Sequence, residues 1–315
     1  MAKRPQSGKK MTQRQGSRPA KSEIRGVRFD PTIRPKLDRD DDSNEEFTTA
    51  GGGNRRSAGN AGTGPQTRKD ARNEVKVCGV HACHAVFAQR RDAIIRAYVT
   101  DDRLKEFSQM LSWAAAERKA YHVVTAEDLD RIAGTVHHEG VCLLTKQGKS
   151  TSAPELLLQL STRKGPQCIV LLEKPHNPHN LGAFVRVAAH FGAAAIVVGG
   201  EDLTVTAAAY RTAEGGFEFL PVALTPHIEG FLQAAKKEGY ALVATSGRGN
   251  ASIYDGELPR RTVILFGPER EGLSPGVMKR CDRVLKIPGT GNVESLNLSC
   301  AGAVVLGEWR RQFPV

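Results

Sequence analysis

Long apolar runs are missing from this sequence of 315 residues. No stretch of about 18 consecutive apolar residues occurs, so the sequence predicts no membrane-spanning helix. The polar, lysine-rich start lacks the apolar core of a secretory signal, which favours a cytoplasmic protein. The sequence also lacks a Gly-x-x-x-x-Gly-Lys-Ser/Thr phosphate loop and any repeat of fixed period. These absences argue against a P-loop nucleotide enzyme and against a repeat protein.

Cysteine is scarce, with six residues in the whole chain. Four of them stand singly in apolar runs, as Cys142 does, which predicts buried thiols in a reducing compartment. Cys78, His81, Cys83 and His84 crowd into seven residues and raise the alternative of a zinc site. No second cluster supplies a matching pair of ligands, so we expect no metal.

Acidic residues are fewer than lysines and arginines, and the formal net charge is +11. Residues 1–72 hold 17 lysines and arginines against nine acids, so +8 of that charge lies in this segment. Its composition, rich in Gly, Ser, Arg, Lys and Asp, cannot bury enough apolar surface to order the chain. We predict a disordered basic arm that contacts phosphates without reading a base sequence. A plain solubilising tail is the alternative.

The rest of the chain divides into two predicted domains. Residues 73–150 have the pattern of a small α/β domain, with strands predicted at 75–80, 94–99, 121–125 and 140–144. Its helices are predicted at 82–90, at 103–117 and directly after Thr125, a suitable N-cap. Residues 151–166 are interpreted as a linker that contains a short helix.

Residues 167–315 alternate strands and helices, which predicts an α/β domain with a parallel sheet covered on both faces. Strands are predicted at 168–172, 194–198, 217–222, 241–245, 262–266 and 284–287. Helices are predicted at 180–191, 207–214, 228–237, 276–280 and 295–311.

Three polar, glycine-rich segments follow buried strands of this domain, where open α/β sheets bind their ligands. They are residues 177–186 (NPHNLGAFVR), 266–273 (FGPEREGL) and 287–299 (IPGTGNVESLNLS). Asn180 is predicted to cap a helix, and Arg186, nearly two turns later, can offer paired donors to a phosphate. Capping alone for Asn180, a surface salt bridge for Arg186 and an ordinary turn around Glu269 are the alternatives for single residues. His176 and His179 act either as acid or base groups or simply as loop residues.

Together the three segments resemble the motifs of the TrmH/SpoU family of SPOUT RNA 2′-O-ribose methyltransferases. The motifs are Asn180-x-Gly182-x-x-x-Arg186, then Gly267-x-Glu269-x-x-Gly272, then Ile287-Pro288-x-x-Gly291-x-x-x-Ser295-Leu296-Asn297-x-Ser299. The resemblance covers about residues 167–312, and residues 75–147 resemble the family's RNA-binding domain less strongly. Gly289 and the segment 208–216 depart from the common family pattern.

The resemblance implies a deep trefoil knot at the C-terminal end, a homodimer, and methyl transfer from S-adenosylmethionine (SAM) to a ribose 2′-hydroxyl of structured rRNA or tRNA. The catalytic residues that it implies are Arg186, Asn180, Glu269, Ser295 and Asn297. The SAM-binding residues that it implies are Gly267, Ile287, Leu296, Gly291 and Thr245. A non-catalytic RNA-binding or ribosome-assembly protein of the same fold is the alternative, because a fold does not prove an activity.

Overall fold

A computed structural model describes residues 74–148, 151–201 and 205–314 of the chain. The predicted basic arm at residues 1–72 lies outside the described residues. Within the described part, no helix has both the length and the apolar character needed to cross a membrane.

The first unit, residues 74–148, is built on a four-stranded sheet in the order β1-β4-β2-β3. Strand β3 is parallel to β2, and the other neighbouring pairs are antiparallel. Its strands are β1 (Glu74–Cys78), β2 (Ile94–Val99), β3 (Ala120–Val123) and β4 (Val141–Lys146). Its helices are α1 (Val80–Arg90), α2 (Ser108–Ala116) and α3 (Ala126–Ala133). Thr125 caps α3 as predicted, since its Oγ1 accepts a hydrogen bond from the Asp128 amide at 3.2 Å.

The second unit, residues 151–201 and 205–314, contains an eight-stranded sheet in which all neighbouring strands are parallel. The strand order is β10-β12-β9-β11-β6-β7-β8-β5. The strands are β5 (Thr151–Ser152), β6 (Gln167–Glu173), β7 (Ala195–Gly199), β8 (Val222–Thr225), β9 (Ala241–Thr245), β10 (Ala251–Ser252), β11 (Arg261–Phe266) and β12 (Arg283–Lys286). The helices are α4 (Ala153–Ser161), α5 (Pro178–His190), α6 (Ala207–Thr212), α7 (Gly216–Phe219), α8 (Ile228–Lys237), α9 (Pro275–Met278) and α10 (Leu298–Gln312). The predicted α/β class with a parallel sheet is confirmed.

Apolar clusters pack on both faces of this sheet, which explains why its central strands are continuous apolar runs. On one face Phe184 of α5 is fully buried and meets the ring of Phe266 edge to face, with centroids 4.9 Å apart. Gly302 of α10 lies directly against the Phe184 ring. This close contact holds α10 on α5.

The segment interpreted as a linker differs in the structure. β5 pairs with β8 at the edge of the large sheet, and Ser152 and Glu155 form a capping box that starts α4. Helix α4 buries an apolar face in the core of the second unit. The residues that it buries are Ala153, Leu156, Leu157 and Leu160. Residues from Thr151 onward therefore belong to the second unit.

The strand predicted at 217–222 is wrong. Gly215 adopts a left-handed conformation with φ 86°, and the chain then makes the single helical turn α7. The aromatic ring of Phe217 packs on Tyr210, with centroids 4.5 Å apart, and the strand of this region begins only at Val222. The apolar residues Phe217 and Leu220 therefore pack on the core of the second unit from a helical turn rather than from a strand.

Candidate active site

Most of the predicted site residues lie at one edge of the large sheet. Thr245 ends β9, while Gly267 and Ile287 follow β11 and β12. These three strands are neighbours and run parallel, so their carboxyl ends meet at the same edge. Asn180 lies in the first turn of α5, which follows the next strand, β6.

Three side chains from different segments meet at this edge. Asn180 donates from Nδ2 to Oε1 of Glu269, and Asn297 donates from Nδ2 to Oδ1 of Asn180 at 3.3 Å. Asn297 also accepts from the Ser299 amide at 2.9 Å through its Oδ1. The structure thus brings together Asn180, Glu269 and Asn297, which are 89 and 117 residues apart along the chain.

The predicted cap of α5 is wrong. Asn177 is the N-cap, because its Oδ1 accepts from the His179 amide at 2.9 Å and Pro178 occupies the first helical position, where proline fits well. Asn180 is therefore free of the capping role, and its amide is available to bridge the two loops. Helix α10 also begins later than predicted, with Asn297 as its N-cap and Ser295 in the exposed loop before it.

The loops at this edge are suited to a nucleoside ligand. Gly267 has no room for a side chain, because a Cβ there would overlap the backbone of Gly272. The loop from Gly267 to Gly272 therefore folds tightly and presents main-chain groups. Residues 291–297 are all exposed, and Leu296 adds apolar surface. Main-chain donors and acceptors beside an apolar side chain fit an adenosine and amino-acid ligand such as SAM.

Arg186 does not join the cluster of Asn180, Glu269 and Asn297. It lies six residues beyond Asn180, or about 9 Å along the helix axis. Its Nη1 donates to Oε1 of Glu214 at 2.6 Å, and the two side chains are 58% and 38% exposed. An ion pair this exposed contributes little to stability, so the guanidinium can exchange its partner for a phosphate.

Sequence reasoning did not single out Glu214. Glu214 follows α6 in the segment 208–216, which departs from the family pattern. That departure was the one feature of the sequence that could have drawn attention to Glu214. Glu214 has a left-handed backbone with φ 44°, and a Cβ on Gly216 would approach the backbone of Arg186 to 3.3 Å. This turn therefore packs directly on α5 and sets the position of the Glu214 carboxylate.

The cysteine and histidine cluster at 78–84 forms no metal centre in the part of the chain that the structure describes. Cys78 and Cys142 face each other across β1 and β4, with their Sγ atoms 3.2 Å apart. The hydrogen bond with Cys142 lowers the pKa of the Cys78 thiol. Burial raises the pKa of Cys83, whose Sγ donates to the Val77 carbonyl.

Two of the cavities on the described surface bear on the location of the site. The first, of about 410 Å³, lies between the two units. It is lined by Cys78, Gly79, His81, Ala82, Val136, His137, Glu139, Arg211, Thr212 and Glu214. The second, of about 850 Å³, lies at the carboxyl ends of β6, β7 and β8; its lining includes His176 but none of the residues predicted to be catalytic or to bind SAM. The larger cavity is therefore not the site that the motifs form.

Comparison with known proteins identifies the family. The SpoU rRNA Methylase family matches residues 167–307, and the family described as RNA 2′-O ribose methyltransferase substrate binding matches residues 76–150. The Uncharacterized tRNA/rRNA methyltransferase YfiF of Escherichia coli O157:H7 is 40% identical over 245 residues, which are 78% of this chain and 70% of that protein. This chain belongs to the SpoU rRNA methylase family. The resemblance predicted from the three motifs is confirmed.

One further relative supports the SpoU assignment, and one solved structure is similar in fold. The 23S rRNA (guanosine-2'-O-)-methyltransferase RlmB of Xanthomonas campestris pv. campestris is 32% identical over 225 residues, 70% of this chain and 88% of that protein. The SpoU methyltransferase AviRb of Streptomyces viridochromogenes, solved in complex with AdoMet, is 22% identical with a TM-score of 0.65. That match covers 79% of this chain and 94% of AviRb, and it shows that this chain shares the AviRb fold.

Proposed function

We propose that this SpoU-family protein transfers a methyl group from SAM to a ribose 2′-hydroxyl of structured RNA, within rRNA or tRNA. The observation that carries the proposal is the meeting of Asn180, Glu269 and Asn297 beside the loops at Gly267 and Ile287. Polar residues of three separate motifs converge where α/β sheets bind ligands. Family membership supplies the reaction class.

Each motif residue has a role in this proposal. Main-chain groups at Gly267, Ile287 and Leu296 would hold SAM, with Gly291 and Thr245 beside them. When bound, SAM supplies an electrophilic methyl carbon, so positioning of the acceptor contributes much of the rate. The Asn180–Glu269–Asn297 cluster keeps the loops in place, and Ser295 lies in the exposed loop where it can contact the nucleotide.

Arg186 grips the phosphate next to the acceptor ribose. Its guanidinium stays protonated in proteins, so it polarises the hydroxyl and stabilises developing charge rather than removing the proton, which passes to solvent water as the oxygen takes the methyl group. Arg186→Ala should lower methyl transfer to total RNA about 10²–10³-fold, as the loss of a transition-state contact does, with unchanged SAM affinity. Arg186→Lys should not rescue it, because an ammonium group lacks the planar pair of donors.

The assay is transfer of labelled methyl groups to total RNA from a strain that lacks this protein. Arg280→Ala is the matched control, since Arg280 forms another exposed pair, with Glu229, away from the motifs. Near wild-type transfer by Arg186→Ala would contradict the assigned role. No transfer by the unchanged protein to any RNA would leave the non-catalytic RNA-binding role.

The hydrogen bond between Asn180 and Glu269 gives a separate test of the SAM site. Asn180→Asp would place two carboxylates side by side, and their repulsion should displace the loop that begins at Gly267. We expect SAM affinity, measured by calorimetry, to fall about tenfold or more. Glu269→Gln in the same protein should restore part of the affinity. Unchanged SAM binding by Asn180→Asp would show that the cofactor lies elsewhere.

The domain roles belong to the same proposal. Residues 74–148 would bind the RNA substrate, and residues 151–314 would carry the transfer site. The segment 1–72, outside the described residues, would add phosphate contacts, so its removal should flatten the log–log salt dependence of RNA binding by about 0.7–0.9 per lost contact.

The knot and the homodimer are also part of the proposal. In the large sheet, β9 and β11 separate β12 from β6, the strand that precedes α5. The helix that follows β12, α10, nevertheless packs on α5, and its N-cap Asn297 hydrogen-bonds to Asn180. This return of the chain supports a knotted path through the loop after β11. Arg186 pairs with Glu214 and makes no hydrogen bond to the Asn180–Glu269–Asn297 cluster of its own copy, which supports a site shared between two copies. Mixing Arg186→Ala with Asn297→Ala protein should then restore transfer, whereas separate sites would leave the mixture inactive.

A further inference from the structure

The smaller cavity is built from both units of the chain. One wall comes from residues 78–82 and 136–139 of the first unit, and the other from residues 211–214 of the second. The first wall belongs to the region that matches the substrate-binding family. The volume of the cavity, about 410 Å³, is in the range of small-ligand sites, and the cavity is open to solvent. A flexible RNA segment can therefore enter it.

The lining has the chemistry that recognises an unpaired nucleobase. His81, His137 and Arg211 supply flat groups, and single-stranded bases stack on such planes. Glu139 and Glu214 supply carboxylate oxygens that accept hydrogen bonds from base N–H groups. The lining of the cavity is too polar for an apolar metabolite. A rigid duplex could not place one base inside the cavity.

The cavity is joined to the catalytic helix. Oγ1 of Thr212 lies 3.1 Å from Nδ1 of His179, and Glu214 holds Arg186 at 2.6 Å. Both partners belong to α5, the helix that carries the first motif. A base in the cavity would therefore leave its own backbone phosphate beside the guanidinium of Arg186.

Hydrogen bonds within and between the two units support the cavity walls. Glu139 accepts from the Val80 amide at 2.8 Å through its Oε2, which ties the loop 136–139 to the start of α1. Across the junction, Arg90 of α1 pairs with Glu218 of α7 through bonds of 2.6 and 2.8 Å. A preformed site loses less entropy when a nucleotide binds.

We propose that this cavity binds one unpaired nucleotide of the RNA substrate and so selects the RNA that reaches Arg186. The inference rests on the proposed function. It assigns to His137 and Arg211 the task of substrate selection, outside the three motifs and outside the SAM loops.

The test uses His137→Ala and Arg211→Ala, with His190→Ala and Arg280→Ala as matched controls on exposed surface outside the cavity. Two readouts are measured: steady-state methyl transfer to total RNA, and saturation-transfer NMR with the four nucleoside 5′-monophosphates. We expect the cavity variants to raise the RNA KM about tenfold or more, because loss of one stacked base weakens binding by that order. The kcat and the SAM affinity should stay near wild type, and the nucleotide signals should weaken.

The outcomes separate the two claims. If the wild type methylates RNA and the cavity variants match their controls in KM and in nucleotide binding, the cavity inference is refuted and the proposed function stands. If the wild type methylates no RNA, the proposed function is overturned, and the inference that rests on it falls with it. A raised KM that is specific to the cavity variants supports both.

Discussion

The ion pair between Arg90 and Glu218 should control how firmly the two units are held together. Nε and Nη2 of Arg90 donate to the two carboxylate oxygens of Glu218 at 2.6 and 2.8 Å. The Glu218 side chain is 6% exposed and that of Arg90 is 20% exposed, so this pair is far less hydrated than the other Arg–Glu contacts discussed above. Glu218→Gln preserves the shape and removes the charge, which leaves a buried guanidinium without its counter-ion.

The expected loss is set by what Arg90 retains. Breaking a buried ion pair costs about 3–5 kcal/mol, since one charge stays desolvated and unpaired. Arg90 still donates from Nη1 to the Lys146 carbonyl at 2.7 Å, so the lower end applies. We expect Glu218→Gln to lower the free energy of unfolding by about 3 kcal/mol. Arg90→Met with Glu218→Leu should cost less than Glu218→Gln, because neither charge is then stranded.

The two tryptophans make the assay specific for each unit. Trp113 lies in α2 of the first unit and Trp309 in α10 of the second, and they are the two tryptophans of the sequence. Urea unfolding of Trp113→Phe and Trp309→Phe proteins follows each unit separately. We expect coincident transitions with the native pair and separated transitions after Glu218→Gln. Coincident curves with a midpoint change worth less than about 0.5 kcal/mol would refute the argument, since that is the effect of an ordinary surface substitution.

Two further substitutions test packing and charge in α10. A Cβ at Gly302 would lie 2.6 Å from the Phe184 ring, so Gly302→Ala should lower the stability in urea by about 1–3 kcal/mol. Gly307→Ala is its control, because that Cβ has an ordinary 3.5 Å contact, and equal losses would contradict the packing argument. Hydrogen bonding to Arg311 lowers the pKa of Glu308 from 4.5 to about 2, so its stabilisation is complete above pH 4.5 and lost as the pH falls toward 2. Glu308→Gln should therefore be less stable than wild type at pH 7, with a difference in Tm that narrows below pH 4.5; a constant difference would contradict the shift.

Local sequence patterns predicted the regular elements well where their periodicity was strong. α8 and β9 begin and end at the predicted residues, Ile228–Lys237 and Ala241–Thr245. In each case burial on a sheet face produces a clear apolar period, and glycine or a polar residue ends it. The strand predicted at 217–222 failed because Phe217 and Leu220 are buried by a turn rather than by a strand. Periodicity in so short a segment cannot distinguish the two.

The site was predictable only in part. The motifs identified Asn180, Glu269 and Asn297, but no local rule states that residues 89 and 117 positions apart hydrogen-bond to each other. The N-cap is a different kind of failure, since Asn177 and Asn180 are both good caps and the proline after Asn177 decides between them. The partner of Arg186 depends on a left-handed Glu214, which is an uncommon conformation for a residue with a side chain.

The turn that contains Glu214 gives the two units a physical connection to the same arginine. Thr212 contacts α5 through His179, Glu214 pairs with Arg186, and Glu218 pairs with Arg90 of the first unit. Three residues within a seven-residue segment thus contact the helix of the first motif or the first unit. The pair at Glu218 is far less exposed than the pair at Glu214, so we expect a displacement of the first unit to break the Arg186–Glu214 pair at less cost than the Arg90–Glu218 pair. The segment from Thr212 to Glu218 is therefore the direct route by which the position of the first unit bears on the side chain of Arg186.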